Sequence, residues 1–239
     1  MRFWEIDFCR GLTAIAMVAF NWLYALGFLG IIAFNASEPF WFWTARAIAG
    51  SFIFIAGVSF YLSETRGKNT VKRGFKLLAL GILITLATWF FVPREFVVFG
   101  ALHAIGTSIL LAGFFSSFSP RALTIAGAVA IAVGILLSQA RFDFAWLLWL
   151  GFKPQAFSSL DYQPLLPWFG VFLSGLAFAK KYYAQGKRRF HIAERNNLVC
   201  FLGRHSLAVY LLHIPLLFLL LWLAEGDFLQ RLKTTARVV

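Results

Sequence analysis

Seven apolar runs, each close to the ~20 residues that a helix needs to cross a bilayer core, limit what this chain can become. They occupy residues 11–32, 40–62, 72–92, 97–116, 121–138, 164–180 and 205–224. Hydrocarbon offers no partner to a backbone amide, so segments of this length are predicted to be helices packed against one another. Of the 239 residues, 60% are hydrophobic and 13% charged, whereas a soluble domain carries about a quarter charged residues. The expected fold is therefore all-α: a polytopic transmembrane helix bundle of about seven spans, forming a single integral membrane domain over residues 1–239. The apolar stretch Phe142–Phe152 is half a span long and is expected to be re-entrant or interfacial. The first run follows Glu5 and Asp7 and is longer than the apolar region of a signal peptide, so it is expected to be retained as a helix.

Lys and Arg set the expected orientation. One basic loop holds Arg66, Lys68, Lys72, Arg73 and Lys76; a second holds Lys180, Lys181, Lys187, Arg188, Arg189 and Arg195. Seven spans place both on one side with Arg2 and Arg10, and that side is expected to be cytoplasmic, with a cytoplasmic N-terminus in a cell membrane. The C-terminus, with Arg231, Lys233 and Arg237, falls on the other side. A net charge of +12 then reflects topology. No soluble stretch is long enough for a nucleic-acid-binding domain. Cys9 and Cys200 form neither a metal cluster nor a disulfide framework, and no phosphate loop, HExxH or Cys-x-x-Cys motif occurs. No metal is expected.

Polar residues inside apolar runs are expensive unless they face a protein interior or a water-filled cavity. At 1.5 Å per residue, Asn21 lies ~15 Å into the first span and Arg46 ~9 Å into the second. By the same measure, His103 lies ~10 Å into the fourth span and His213 ~12 Å into the last. Comparable depths suggest one polar cavity. His103, between Gly100 and Gly106, reads either as a general base or as a structural histidine bonded to a neighbouring helix. At the cytoplasmic rim, Glu5-Ile-Asp7-Phe-Cys-Arg10-Gly11 precedes the first run and Gly203-Arg204-His205-Ser206 the last. Arg10, Arg204 and His205 could receive phosphates there; the plainer alternative is interfacial anchoring with Asp7 pairing Arg10. At the opposite mouth, Asp161 would cap the span that follows it, or would bind an amine or sugar acceptor beside Tyr162 and Trp168.

Taken in order, several stretches resemble a family. They are Glu5-Ile-Asp7-Phe-Cys-Arg10-Gly11, Phe52-Ile-Phe-Ile-Ala-Gly57-Val-Ser59, Arg73-Gly-Phe-Lys-Leu-Leu-Ala-Leu-Gly81 and Phe99-Gly-Ala-Leu-His103-Ala-Ile-Gly106. Leu160-Asp161-Tyr162 through Phe169-Gly170 and Gly203-Arg204-His205-Ser206-Leu-Ala-Val-Tyr210-Leu-Leu-His213 complete the set. The chain resembles the prokaryotic DUF1624 membrane proteins, relatives of the heparan-alpha-glucosaminide N-acetyltransferase catalytic domain. The resemblance implies a multi-pass acyltransferase that takes acetyl from cytoplasmic acetyl-CoA, or another acyl-CoA, and delivers it to an amine or hydroxyl at the outer side. Two departures stand out. Asn21 occupies the place where many prokaryotic relatives carry histidine, and the eukaryotic catalytic histidine would fall near Asn35 or Ala36, where this chain has none.

The reading that results assigns His103 as the expected base, with Asn21 as oxyanion donor and His213 as a further catalytic candidate. Arg10, Arg204 and His205 would bind the CoA phosphates; Asp161, Tyr162, Trp168 and Arg46 would bind the acceptor. The expected partners are the lipid bilayer and a small-molecule or glycan acceptor, with a homodimer left open. The lysosomal lumenal domain of the eukaryotic enzyme has no counterpart, so heparan sulfate is not the expected acceptor. The alternative function is a small-molecule transporter or exporter with a buried His/Arg path, against which the lack of an internal repeat counts.

Overall fold

Side-chain caps set three of the helix starts. Asn69 accepts from the Lys72 amide at 2.8 Å, Ser119 from Ala122 at 3.2 Å and Asn197 from Cys200 at 2.9 Å, each satisfying one of the amides that a helix leaves without a partner. In the computed structural model, which describes residues 3–188 and 197–224, the helices are α1 (Trp4–Phe28), α2 (Pro39–Glu64), α3 (Thr70–Phe91), α4 (Ala101–Ala112), α5 (Pro120–Gln139), α6 (Leu165–Tyr182), α7 (Leu198–Arg204) and α8 (Ser206–Ala224). Five of them, α1, α2, α3, α5 and α8, are long and apolar enough to cross a membrane. Among the described residues there is no strand, only isolated bridges at Phe99–Tyr162 and Phe142–Pro154. The expected all-helical membrane bundle is therefore present. Arg2, Arg189, Arg195, Arg231, Lys233 and Arg237, used above to assign sides, lie outside the described residues.

Two boundaries differ from the sequence reading. The motif Glu5–Gly11 does not precede the first helix; it is the start of α1, where Glu5 and Asp7 complement the positive end of the helix dipole. The fourth helix begins at Ala101 rather than 97, because residues 95–99 are hydrogen-bonded to residues 158–163. The Phe142–Phe152 stretch forms no α-helix. It closes on itself through Phe142 N–H to the Lys153 carbonyl at 3.2 Å, with Phe142, Phe144 and Phe152 in mutual ring contact.

The chain divides into two compact units, one of residues 1–52 with 192–239, the other of residues 53–191. The first contains α1, the opening half of α2, α7 and α8. Its helices meet at glycines. A Cβ on Gly11 would strike the Val199 carbonyl, and one on Gly203 the Asp7 carbonyl, so α1 and α7 touch backbone to backbone. Close approach of this kind needs small residues because lipid supplies no hydrophobic drive between helices.

The second unit contains the rest of α2 with α3 to α6. It uses the same device: Gly57 faces Phe172, Gly106 faces Gly74 and Leu78, and Gly127 faces Gly170. Because α3 and α4 are antiparallel, as are α5 and α6, the second unit has two chemically distinct ends. At one end the turn from α2 to α3, the close of α4 and the close of α6 come together. There Lys180 Nζ donates to the Ser116 and Phe118 carbonyls, and the Gln185 N–H to the Tyr61 hydroxyl at 3.3 Å. Among the described residues, that end carries every cation of the α2–α3 turn together with Lys180, Lys181, Lys187 and Arg188, against the single carboxylate of Glu64. The opposite end is balanced, with Arg94, Arg141 and Lys153 against Glu95, Asp143 and Asp161.

Candidate functional site

In the first unit, α8 has one buried polar side chain, His213. The Tyr210 carbonyl lies 2.7 Å from Nδ1. A carbonyl only accepts, so Nδ1 carries the ring proton. Nε2 is then a bare lone pair, and the Asn21 side-chain nitrogen, 3.0 Å away on α1, must donate to it. The neighbouring Trp22 indole donates to the His213 carbonyl at 3.0 Å, fixing the backbone beneath the ring. Pro215 lies two residues on inside the same helix and removes the N–H that would bond Leu211. The result is a histidine with one nitrogen oriented by a backbone carbonyl and the other presented as an acceptor beside an amide. That is the arrangement of a general base with a neighbouring hydrogen-bond donor.

The rim residues belong to the same unit. Arg10 Nη1 is 3.4 Å from Oδ1 of the buried Asp7. A Cβ on Gly203 would lie 2.9 Å from the Gly11 amide, so Arg10 and Arg204 are each the residue next to one backbone contact. His205 is exposed, and its Nδ1 is bonded to the Phe201 carbonyl at 2.9 Å. Arg10 precedes Asn21 by eleven residues on one straight helix, about 16 Å at the helical rise. Arg46 stands apart from these groups. It is exposed, with its guanidinium 3.4 Å over the Phe42 ring and a bond to the Phe42 carbonyl at 3.4 Å. The expected burial of Arg46 is corrected: a flexible stem and an aromatic ring one turn back satisfy the cation locally.

His103 sits in the second unit, in the first turn of α4 rather than ~10 Å inside a span. Its Nδ1 accepts from the Gly100 N–H at 3.2 Å. The ring lies tilted against Phe99, with centroids 5.3 Å apart, and rests on Gly81, whose Cβ would approach Nδ1 to 3.0 Å. In the neutral ring this bond leaves the proton on Nε2, so His103 closes the helix start as the reciprocal half of a capping box.

Asp161 caps the same helix. Its Oδ2 accepts from the Ala101 N–H at 2.9 Å and its Oδ1 from Gln163 Nε2 at 3.3 Å. The sequence reading had it capping the span that follows. It reaches α4 instead because residues 158–163 lie along residues 95–99, with Leu160 N–H on the Glu95 carbonyl at 2.8 Å and Gln163 N–H on the Phe99 carbonyl at 2.7 Å. Thr85 and Thr88 of α3 hold Val97 from the other side. Tyr162 donates to the Leu148 carbonyl at 2.7 Å, and Trp168 is half-buried in α6. Burial pushes the Tyr162 hydroxyl up to about 12.

Burial also raises the Asp161 carboxyl above its ordinary value of 3.8, opposed by the bonds from Ala101 and Gln163. An acid whose folded pKa is raised holds its proton more tightly in the folded state, so its contribution to stability falls as pH rises from 3.8 through the raised value. Asp161→Asn keeps an acceptor for Ala101 and loses the ionisation. Its melting temperature is expected to match or exceed that of the wild type at pH 7, whereas Asp161→Ala, losing the cap, is expected to lose about 1 kcal/mol. Equal melting of the alanine and asparagine variants would contradict the capping role.

A helical membrane protein in which a half-buried amide bonds a buried imidazole, with Arg10 and Arg204 beside the contact of α1 and α7, is the class that fold and site define. The heparan-alpha-glucosaminide N-acetyltransferase catalytic family model matches residues 2–215, nearly the whole chain, and the chain belongs to that family. No curated protein and no solved structure shows significant similarity to it. Tyr210 and Trp22, which orient His213, were missed in the sequence; the proline two residues beyond a membrane histidine was the signal available.

Proposed function

We propose that the protein is a multi-pass acyltransferase that moves an acetyl or other acyl group from cytoplasmic acyl-CoA to an amine or hydroxyl, such as that of an amino sugar, arriving from the opposite side. The observation that carries this is the 3.0 Å pair of Asn21 Nδ2 and His213 Nε2, held by Tyr210 and set along α1 from Arg10. Family membership supports acyl transfer as the chemistry. The donor phosphates are assigned to Arg10, Arg204 and His205. The thioester then lies at Asn21, at a distance that an extended pantetheine arm spans.

His213 is the base in this proposal. The acceptor N–H or O–H takes the place of the Asn21 amide at Nε2 and gives up its proton there. Its nitrogen or oxygen attacks the thioester carbon. The released Asn21 amide donates to the oxyanion, the tetrahedral intermediate expels the CoA thiolate, and the imidazolium returns the proton to give CoA thiol. The Nδ1–H bond to Tyr210 steadies the ring while it is charged. His103, Asp161, Tyr162 and Trp168 lie at the less basic end of the second unit, which is assigned to the outer side. We place the N-terminus in the cytoplasm and the protein in the cell membrane, because the basic end of the second unit follows the positive-inside rule. α4 with its following turn and α6 complete seven spans.

Binding of CoA to the purified full chain tests the donor assignment. At a ligand concentration of 100 Kd, acetyl-CoA is expected to stabilise the protein by about 2.7 kcal/mol, read as a rise in melting temperature that shrinks in Arg204→Ala. A folded protein whose melting ignores every acyl-CoA would overturn the proposal.

A further inference from the structure

We propose that the basic end of the second unit carries a phosphate-binding site anchored by Arg73, with an anionic phospholipid headgroup or a free nucleotide phosphate as ligand. Arg73 lies in the first turn of α3 and is only partly exposed. The next residue, Gly74, packs flush on α4, where a Cβ would come within 2.7 Å of Leu110 and 3.2 Å of the Gly106 carbonyl. The guanidinium therefore emerges at the edge of a tight helix contact rather than from an open surface.

Nothing among the described residues compensates it. Among the described residues, no hydrogen bond or ion pair reaches the side chains of Lys72, Arg73 or Lys76. The first turn of α3 holds no acidic residue, and its helix dipole adds positive charge at the same place. Lys180, at the same end, shows how a cation is satisfied where carbonyls are within reach, since it bonds both Ser116 and Phe118. Arg73 bonds to no carbonyl among the described residues.

A partly buried charge without a partner is costly. The planar fork of an arginine matches phosphate oxygens in two parallel hydrogen bonds, which a lysine does not. Lys72 and Lys76 are exposed on either side and would extend the field around the anion. Val71 and Phe75, beside them, are 54% and 60% exposed, so apolar side chains stand next to the cations as they would at the boundary between headgroups and acyl chains.

The test uses the full chain in detergent, with melting temperature read against added dioleoyl phosphatidylglycerol, dioleoyl phosphatidylcholine or CoA. Phosphatidylglycerol is expected to stabilise the wild type more than phosphatidylcholine, with apparent affinity at least tenfold weaker in Arg73→Gln and intermediate in Arg73→Lys. The lysine variant, which keeps stem and charge, decides the question if the glutamine variant does not fold. A shift that depends on Arg73 with CoA but not with phosphatidylglycerol would assign the same phosphate site to the nucleotide. Equal shifts in wild type and folded Arg73 variants for both ligands would overturn the proposal. Acyl transfer plays no part in the readout, so failure here leaves the function proposed above untouched.

Discussion

His213→Ala is expected to lower acyl transfer by about 10²–10⁴-fold, the contribution of a positioned general base, while stabilisation by CoA is retained. The argument rests on the two ring nitrogens. Nδ1 is committed to the Tyr210 carbonyl at 2.7 Å, and Nε2 faces an amide at 3.0 Å, so the ring can receive a proton at one place only. Asn21→Ala removes the donor and is expected to cost about 10²–10³-fold. The two residues act on one transition state, so the double variant should lose little more than His213→Ala alone. The histidine variant should also melt lower, because the Asn21 amide then loses its partner, at a cost of about 1–3 kcal/mol. A folded His213→Ala protein with wild-type turnover would remove His213 from the chemistry.

Gly203→Val is expected to be the most damaging single change to the fold. A Cβ at this position meets the Asp7 carbonyl and the Gly11 amide, and backbone atoms within two helices cannot give way as a side-chain tip can. Overpacking of this kind costs about 1–3 kcal/mol, and more where no rotamer relieves it. Arg10 and Arg204 flank the same contact, so loss of CoA binding should accompany the loss of stability. Gly203→Ala should show both effects to a smaller degree. Wild-type melting in Gly203→Ala, measured beside Gly113→Ala, where a Cβ meets nothing within 4 Å, would contradict the close approach of α1 and α7.

Which parts of this arrangement the sequence disclosed follows from the range of each interaction. Apolar runs report on the bilayer, which acts on every residue alike, so the helices were legible from composition and length alone. The Asn21–His213 pairing was legible only as a similarity of depth, and depth likewise suggested His103 and Arg46 as members of the same group. What separates them is local bonding. The ring of His103 turns back to the Gly100 amide three residues away, and Arg46 folds over Phe42 one turn away. A sequence shows that such contacts are available without showing which one wins.

Asp161 illustrates the longer range. Capping the next helix was the nearest choice, yet the carboxylate bonds Ala101, sixty positions earlier. That choice depends on residues 158–163 pairing with residues 95–99, and no spacing in the chain encodes it. The base assignment moved from His103 to His213 for the same reason. Both histidines occupy apolar runs, and only their hydrogen-bond partners distinguish a helix cap from an acceptor nitrogen.

The measurement that bears most directly on acyl transfer is the release of CoA thiol from acetyl-CoA by the purified protein in liposomes, with glucosamine as acceptor and His213→Ala alongside. The expected result is thiol release matched one-for-one by N-acetylated product, lost in the variant although the variant still binds CoA. Movement of glucosamine across the membrane with the thioester intact would contradict the account and make the protein a carrier.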